Sequence, residues 1–385
     1  MDIVSTLIEN SGFAQLGLGN LIMFGIAGVL IYLAIAKEFE PLLLIPIGFG
    51  ALLANLPEAG MAAESVDLRQ AKEFSEFKMI PLIYSTVFSI MPPIIFLGVG
   101  VLTDFRPLLG RPITFLLGAA AQIGIAIAAI GAFYLFGFSA KEAAAIGIIG
   151  GADGPTSIFV AQKLAPELLA AIAVAAYSYM ALVPIIQPPI INFLTTDAER
   201  AIDMPQTKPV SKVALILFPI FTAMLGILAV PDAGPLLGLL MFGNLMRECG
   251  VVDRLARTAG NQLIDIVTIF LGLTVGAKMD AEHFLTQETI FILVLGLVAF
   301  CFSTMGGILF AKLLNLFLPS DKKINPCIGA AGVSAVPMSA RVVQKFVSDK
   351  TRGRVNPLMA AMGPNVAGVV GSAVAAGVFL ALLGN

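Results

Sequence analysis

The sequence predicts an all-α, polytopic membrane protein with about 11–12 membrane elements in two homologous repeats, whose re-entrant helices are broken by glycine and proline. Composition, the lengths of the apolar runs and an internal echo carry that prediction. Of 385 residues, 58% are hydrophobic and 12% charged, and the mean hydropathy of +0.94 is far above that of a soluble globular domain. A net charge of -2 offers no basic surface for nucleic acid, so no nucleic-acid partner is expected.

Apolar runs long enough to span fall near 13–36, 79–102, 112–137, 166–192, 213–230, 262–277, 289–311 and 356–383. Shorter or broken ones lie at 41–57, 143–164, 235–246 and 325–346. Asp2 and Glu9 precede the first run and no basic stretch does, so the first span is expected to be retained. Basic residues recur in several loops (Arg69 and Lys72, Arg106 and Arg111, Arg247 to Arg257, Lys345 to Arg354), which leaves the orientation open. Cys249, Cys301 and Cys327 lack metal-ligand spacing and read as free, buried thiols, and His283 beside Asp280 and Glu282 reads as a solvated loop residue. No phosphate loop or Ser-His-Asp arrangement is visible.

The chain echoes itself. "IGIIGGADGPTSIFVAQK" from Ile146 meets "IGAAGVSAVPMSARVVQK" from Ile328 at an offset of 182, with identities at Gly147/Gly329, Gly150/Gly332, Pro155/Pro337, Ser157/Ser339 and Lys163/Lys345. Weaker echoes keep the same order: Pro46 to Leu56 resembles Pro235 to Leu245, with Asn55 matching Asn244, and "IFLG" recurs at 95–98 and 269–272. A duplication follows: residues 1–39 an N-terminal span, 40–194 the first repeat, 195–212 a polar linker and 213–385 the second repeat. The echo is compatible with inverted or parallel repeats, and inverted repeats are the expectation.

Each matched segment must break at its proline. Pro155 has no N–H for the carbonyl of Gly151, nor Pro337 for that of Val333, so the helix unwinds there and carbonyls come free. At membrane depth such carbonyls must meet protein, water or an ion. Beyond each proline a new half-helix presents its N–H groups to the break. A carboxylate in mid-membrane costs about 2.5–3.5 kcal/mol, so Asp153 needs a partner, and with Thr156 and Ser157 nearby a small, hard cation fits. The competing reading takes Asp-Gly-Pro as an ordinary surface turn. The second break supplies the neutral oxygens of Asn325, Ser334 and Ser339, and Arg341 four residues beyond Pro337. Arginine at a helix N-terminus suits a carboxylate, unless Arg341 only snorkels to headgroups. Phe159 occupies the matching place in the first half.

"GGADGPT" at 150–156, "YSYMALVPIIQPP" at 177–189, "GNLMRECGVVDRL" at 243–255 and "NPCIGAAGVSAVPMSARV" at 325–342 together resemble the beta subunit of the biotin-dependent, sodium-pumping decarboxylases. The likeness extends from "NLPEAGM" at 55–61 to "GPNVAGVVGSAVAAGVF" at 363–379. That family acts on oxaloacetate, methylmalonyl-CoA or glutaconyl-CoA. The resemblance implies a subunit of the cytoplasmic membrane that decarboxylates carboxybiotin carried by another subunit, consumes a proton and exports sodium. It also implies a biotin carrier, a carboxyltransferase alpha subunit and a small membrane-anchoring subunit as partners, and a homo-oligomeric core in the lipid bilayer.

Family positions fall on Asp153, Tyr179, Asn325, Gly329, Ser334 and Arg341 without substitution. The expected roles are sodium binding by Asp153, Asn325, Ser334 and, more weakly, Asn365, and proton delivery by Tyr179 or Ser334. Arg341 is expected to receive carboxybiotin with Tyr179, and Gly329 to allow close backbone approach. Lys278 in "GAKMD" faintly echoes a biotinyl-lysine motif, but Ala277 replaces one methionine and the flanks are membrane helices, so no biotin is expected on this chain. A sodium/carboxylate symporter or sodium/proton antiporter would use the same broken helices without chemistry.

Overall fold

The computed structural model describes residues 11–57, 59–62, 79–86, 88–204 and 209–384. Arg69 and Lys72, the first ten residues, Glu58 of the "NLPEAGM" motif and positions 205–208 of the linker lie outside them. Among the described residues there is no β-strand. The first half runs α1 (Leu18–Ala36), α2 (Pro41–Ala54), α3 (Met79–Thr86), α4 (Met91–Leu102), α5 (Arg106–Gly110), α6 (Thr114–Ala121), α7 (Ile123–Phe136), α8 (Ala140–Gly147), α9 (Gly154–Leu164) and α10 (Leu169–Leu194). After α11 (Asp197–Arg200) follow α12 (Lys212–Ala229), α13 (Leu239–Cys249), α14 (Asp253–Thr258), α15 (Ile264–Ala277), α16 (Ala281–Phe284), α17 (Gln287–Phe317), α18 (Met338–Lys350) and α19 (Leu358–Leu383).

Among the described residues, seven helical stretches are long and apolar enough to cross a membrane: 18–36, 114–136, 166–194, 212–229, 253–277, 287–317 and 358–383. They have the length and composition of the spans of a multi-pass membrane protein. Exposed Leu21, Ile22, Phe221, Leu225 and Leu228 give the outer surface the apolar character that lipid requires. The expected span at 79–102 is corrected: α3 ends at Thr86 and, after a 3-10 turn at Phe88–Ile90, α4 starts afresh. Pro92 and Pro93 cannot donate to the preceding turn, so they open a helix instead of continuing one.

Contacts cross between the halves. α2 packs on α15 and α4 on α13. Asn55 donates to the carbonyls of Ala51 and Met279 at 2.8 and 2.6 Å. Its sequence counterpart Asn244 donates to that of Thr103 at 3.0 Å. Each asparagine thereby caps the end of a helix in the opposite half.

The segments leading into the two breaks are buried throughout. The turn Ile148–Gly151 packs against α7, α17 and α19, and the 3-10 segment Pro326–Gly332 against α6, α17 and α19. Backbones touch there. A Cβ on Gly147 would stand 2.9 Å from the carbonyl oxygen of Ile125. Gly329, 182 positions on, faces the carbonyl of Gly307, itself 182 after Ile125, so closely that no side chain fits.

All three cysteines are free, as expected, but only Cys327 is buried; Cys249 and Cys301 are partly exposed, which corrects the expectation for those two. His283 is exposed with Nδ1 at 2.8 Å from Asp280. Lys278 ends α15 with its ammonium 4.6 Å from the ring centre of Tyr84.

Candidate functional site

Both breaks form where the prolines require them. α8 starts with a capping box between Ser139 and Glu142, tightens into the turn Ile148–Gly151 and stops at Ala152, whose φ of 54° is left-handed. Asp153 is then extended and caps α9, its Oδ1 accepting from the Thr156 N–H at 3.3 Å. In the second half the 3-10 segment Pro326–Gly332 gives way to extended chain at Val333, and α18 begins at Met338.

The breaks meet. Ser334 donates its backbone N–H and its hydroxyl to the carbonyl of Gly151, at 2.9 and 2.7 Å. α19 is bonded to both. Asn365 donates from Nδ2 to the carbonyls of Ala331 and Val333 at 3.0 and 2.7 Å. Seven residues on, two turns along the same face, Ser372 donates to Asp153 Oδ2 at 2.7 Å. Ser303 of α17 donates to the carbonyl of Gly150 at 2.6 Å, and Gln187 of α10 to that of Ala330 at 2.8 Å.

The expected pool of free carbonyls is therefore replaced by something else. Hydroxyl and amide donors have taken up several of the released carbonyls, and each amide that donates its nitrogen leaves an oxygen behind. Asn365 Oδ1, Gln187 Oε1, Gln122 Oε1 and Thr156 Oγ1 are buried without a hydrogen-bond partner among the described residues. An unsatisfied buried acceptor costs about 1–3 kcal/mol, and of these four oxygens Thr156 Oγ1 belongs to the residue whose N–H bonds Asp153, where a neutral oxygen beside a carboxylate suits a hard cation.

A cavity of about 400 Å³ opens onto this place, with Asp153, Ser334, Tyr177 and Pro155 among its lining residues. Asp153 and Ser334 are thus brought together as expected from the sequence. Asn365 stands directly behind Ser334 through its bonds to Val333 and Ala331.

The other expected residues lie elsewhere. Tyr179 is not on the cavity: its hydroxyl donates to the carbonyl of Leu293 in α17, and its ring lies against Gly296. Asn325 is fully buried at the far end of the 3-10 segment, where Nδ2 donates to the carbonyls of Arg200 and Ile202 at 3.0 Å each and Oδ1 accepts from the Cys327 N–H at 3.1 Å. Gly329 closes on Gly307, so its intimate contact is with α17. Arg341 is exposed one turn into α18 and forms no ion pair among the described residues.

Sequence reasoning passed over Ser372, Ser303, Gln187 and Tyr177. Ser372 had a usable signal, its spacing from Asn365 in an otherwise apolar helix. The two tyrosines of "YSYM" stand about 200° apart on a helix, so only one can face a given site. Tyr177 is the one that does.

The family described as "Na+-transporting oxaloacetate decarboxylase beta subunit" matches residues 19–383. The oxaloacetate decarboxylase beta chain of Klebsiella pneumoniae is 51% identical over 430 aligned positions, which cover 99% of each chain. The methylmalonyl-CoA decarboxylase beta subunits of Veillonella parvula and Propionigenium modestum are 54% and 55% identical, covering 99% and 98% of this chain and 98% of each relative.

Proposed function

The chain belongs to the family of Na+-transporting oxaloacetate decarboxylase beta subunits, and from that premise we propose that it decarboxylates carboxybiotin presented by a partner subunit, consumes a proton in doing so, and exports sodium. It is the membrane subunit of a sodium-transporting decarboxylase. The acid is chosen by the partner that loads the biotin. Relatives named for two different acids accordingly match this chain about equally, at 51% and 54–55% identity.

One observation carries the reading: Ser334 of the second break is bonded to Gly151, two residues before Asp153 of the first. A change at either break is felt at the other, and coupling needs an ion affinity that differs before and after the chemistry. Asp153 supplies the charge for sodium. Ser334, Asn365 Oδ1 and Thr156 Oγ1 supply neutral oxygens.

Arg341 receives the carboxylate of carboxybiotin, since its guanidinium is exposed and unengaged among the described residues next to the second break. Asn325 acts from a distance by tying the start of that segment to the linker. Ser334, on the cavity, relays the proton: its O–H is released from Gly151, protonates the biotin ring nitrogen as the N–C bond to carbon dioxide breaks, and is restored by a proton from water. Tyr179, committed to Leu293, acts by holding α10 against α17. Decarboxylation itself needs a less polar, closed site, because water stabilises the carboxylate that must leave.

We read residues 40–194 and 213–385 as inverted repeats flanking the linker. The matched contacts of Gly147 and Gly329, and of Asn55 and Asn244, support that reading. The partners come with the family reading: a biotin carrier, a carboxyltransferase alpha subunit and a small membrane-anchoring subunit, around a homo-oligomeric membrane core.

The test is the complex reconstituted in liposomes with its co-purifying partners. Decarboxylation of free carboxybiotin and sodium-22 uptake are followed for wild type and Asp153→Asn. Wild type is expected to release carbon dioxide only with sodium, and the variant to lose both activities. Sodium movement by wild type without any turnover of carboxybiotin would replace this reading with the symporter.

A further inference from the structure

The cavity that reaches Asp153 carries two more carboxylates that the mechanism leaves unused. Glu40 stands at the N-terminus of α2 and Asp265 in the first turn of α15, and both line the cavity with Asn261 and Thr268. No lysine or arginine is among the lining residues. Neither Glu40 nor Asp265 forms an ion pair among the described residues. α2 and α15 are locked together just inside: a Cβ on Gly272 would stand 2.7 Å from Pro46 and 3.4 Å from the carbonyl of Leu43, which fixes Glu40 beside the turn of Thr268.

Glu40, Asp265 and Asp153 line one cavity, yet among the described residues no group of three or more His, Cys, Asp or Glu is gathered to hold a metal ion, so the three carboxylates are not one chelate. A cleft with low-dielectric walls lined by one sign of charge concentrates the opposite ion, by roughly tenfold or more.

Tyr177 provides an independent observation. It is fully buried and lines the same cavity, and its hydroxyl has no partner among the described residues. Its ring lies against Gly154, so that no Cβ would fit there, which fixes the hydroxyl-bearing edge beside the Asp153 break. A buried phenol oxygen left unmatched on an acidic passage has the character of a neutral ligand awaiting a cation.

We propose that this cavity is the route by which sodium reaches Asp153, and that Glu40, Asp265 and the Tyr177 hydroxyl on its wall draw a monovalent cation into it. The proposal rests on the sodium-pump reading above. It adds the residues that gather the ion.

Two readouts test it on the intact complex. The first is the sodium concentration for half-maximal decarboxylation. Glu40→Gln with Asp265→Asn should raise it by about threefold or more, while Glu40→Asp with native Asp265 keeps it near wild type. An unchanged value, or a shifted pH optimum at unchanged sodium dependence, overturns the proposal.

The second readout needs no turnover. In Thr268→Cys, a cationic methanethiosulfonate should react faster than an anionic one by about tenfold, and added salt should shrink that ratio even with both acids in place. Equal rates overturn the route. If wild type shows no sodium dependence while the thiol selectivity is present, the pump reading falls and the cation route survives.

Discussion

Ser372 Oγ and Asp153 Oδ2 are hydrogen-bonded at 2.7 Å across 219 positions of sequence. The bond fixes the one buried carboxylate of the break from the side of α19. Hydrogen bonds to charged groups contribute about 1.5–3 kcal/mol, and Ser372 also has the carbonyl of Val369 at 3.0 Å as a fallback. Ser372→Ala should therefore leave the fold intact while Asp153 loses its orientation. We expect the sodium concentration for half-maximal activity to rise by about threefold to tenfold, read from a sodium titration of the reconstituted complex. A titration curve that overlays wild type would show that this bond has no part in holding the ion.

Tyr177 and Tyr179 make opposite predictions. Removing the unpartnered hydroxyl of Tyr177 takes away a buried group that nothing satisfies, so Tyr177→Phe should not lower the melting temperature of the complex. Its half-saturating sodium concentration should rise. Tyr179→Phe cuts the bond to Leu293, so stability should fall by about 1 kcal/mol and turnover with it, while the sodium dependence of the remaining activity stays put. The two phenotypes exchanged would move the ion-facing role to Tyr179.

Much of this was legible because membranes punish exceptions. The apolar runs located the seven long helices, and Pro155 and Pro337 located both breaks, since a missing N–H has the same consequence in any fold. Asp153 was legible because a carboxylate at that depth demands a partner. What satisfies the breaks was not. Ser303, Gln187 and Ser372 reach them from helices distant in sequence, and a single polar residue in an apolar helix does not say which neighbour it meets. Asn325 and Ser334 share a motif, yet the compact 3-10 segment between them sends one to the linker and the other to Gly151. The split of 79–102 follows from Pro92 and Pro93, which hydropathy alone does not register because two prolines leave the run apolar.

Gly329 offers the sharpest separation of packing from chemistry. Its backbone lies against that of Gly307, with no room for a methyl group on either residue. A Cβ must push the Pro326–Gly332 segment away from α17, and overpacking of this kind costs about 1–3 kcal/mol. Gly329→Ala and Gly307→Ala should each lower the melting temperature of the complex and its turnover together. The double variant should be less than additive, because the first methyl already opens the contact that the second would strain. A Gly329→Ala complex with native stability and no turnover would instead place this glycine against the carboxybiotin itself.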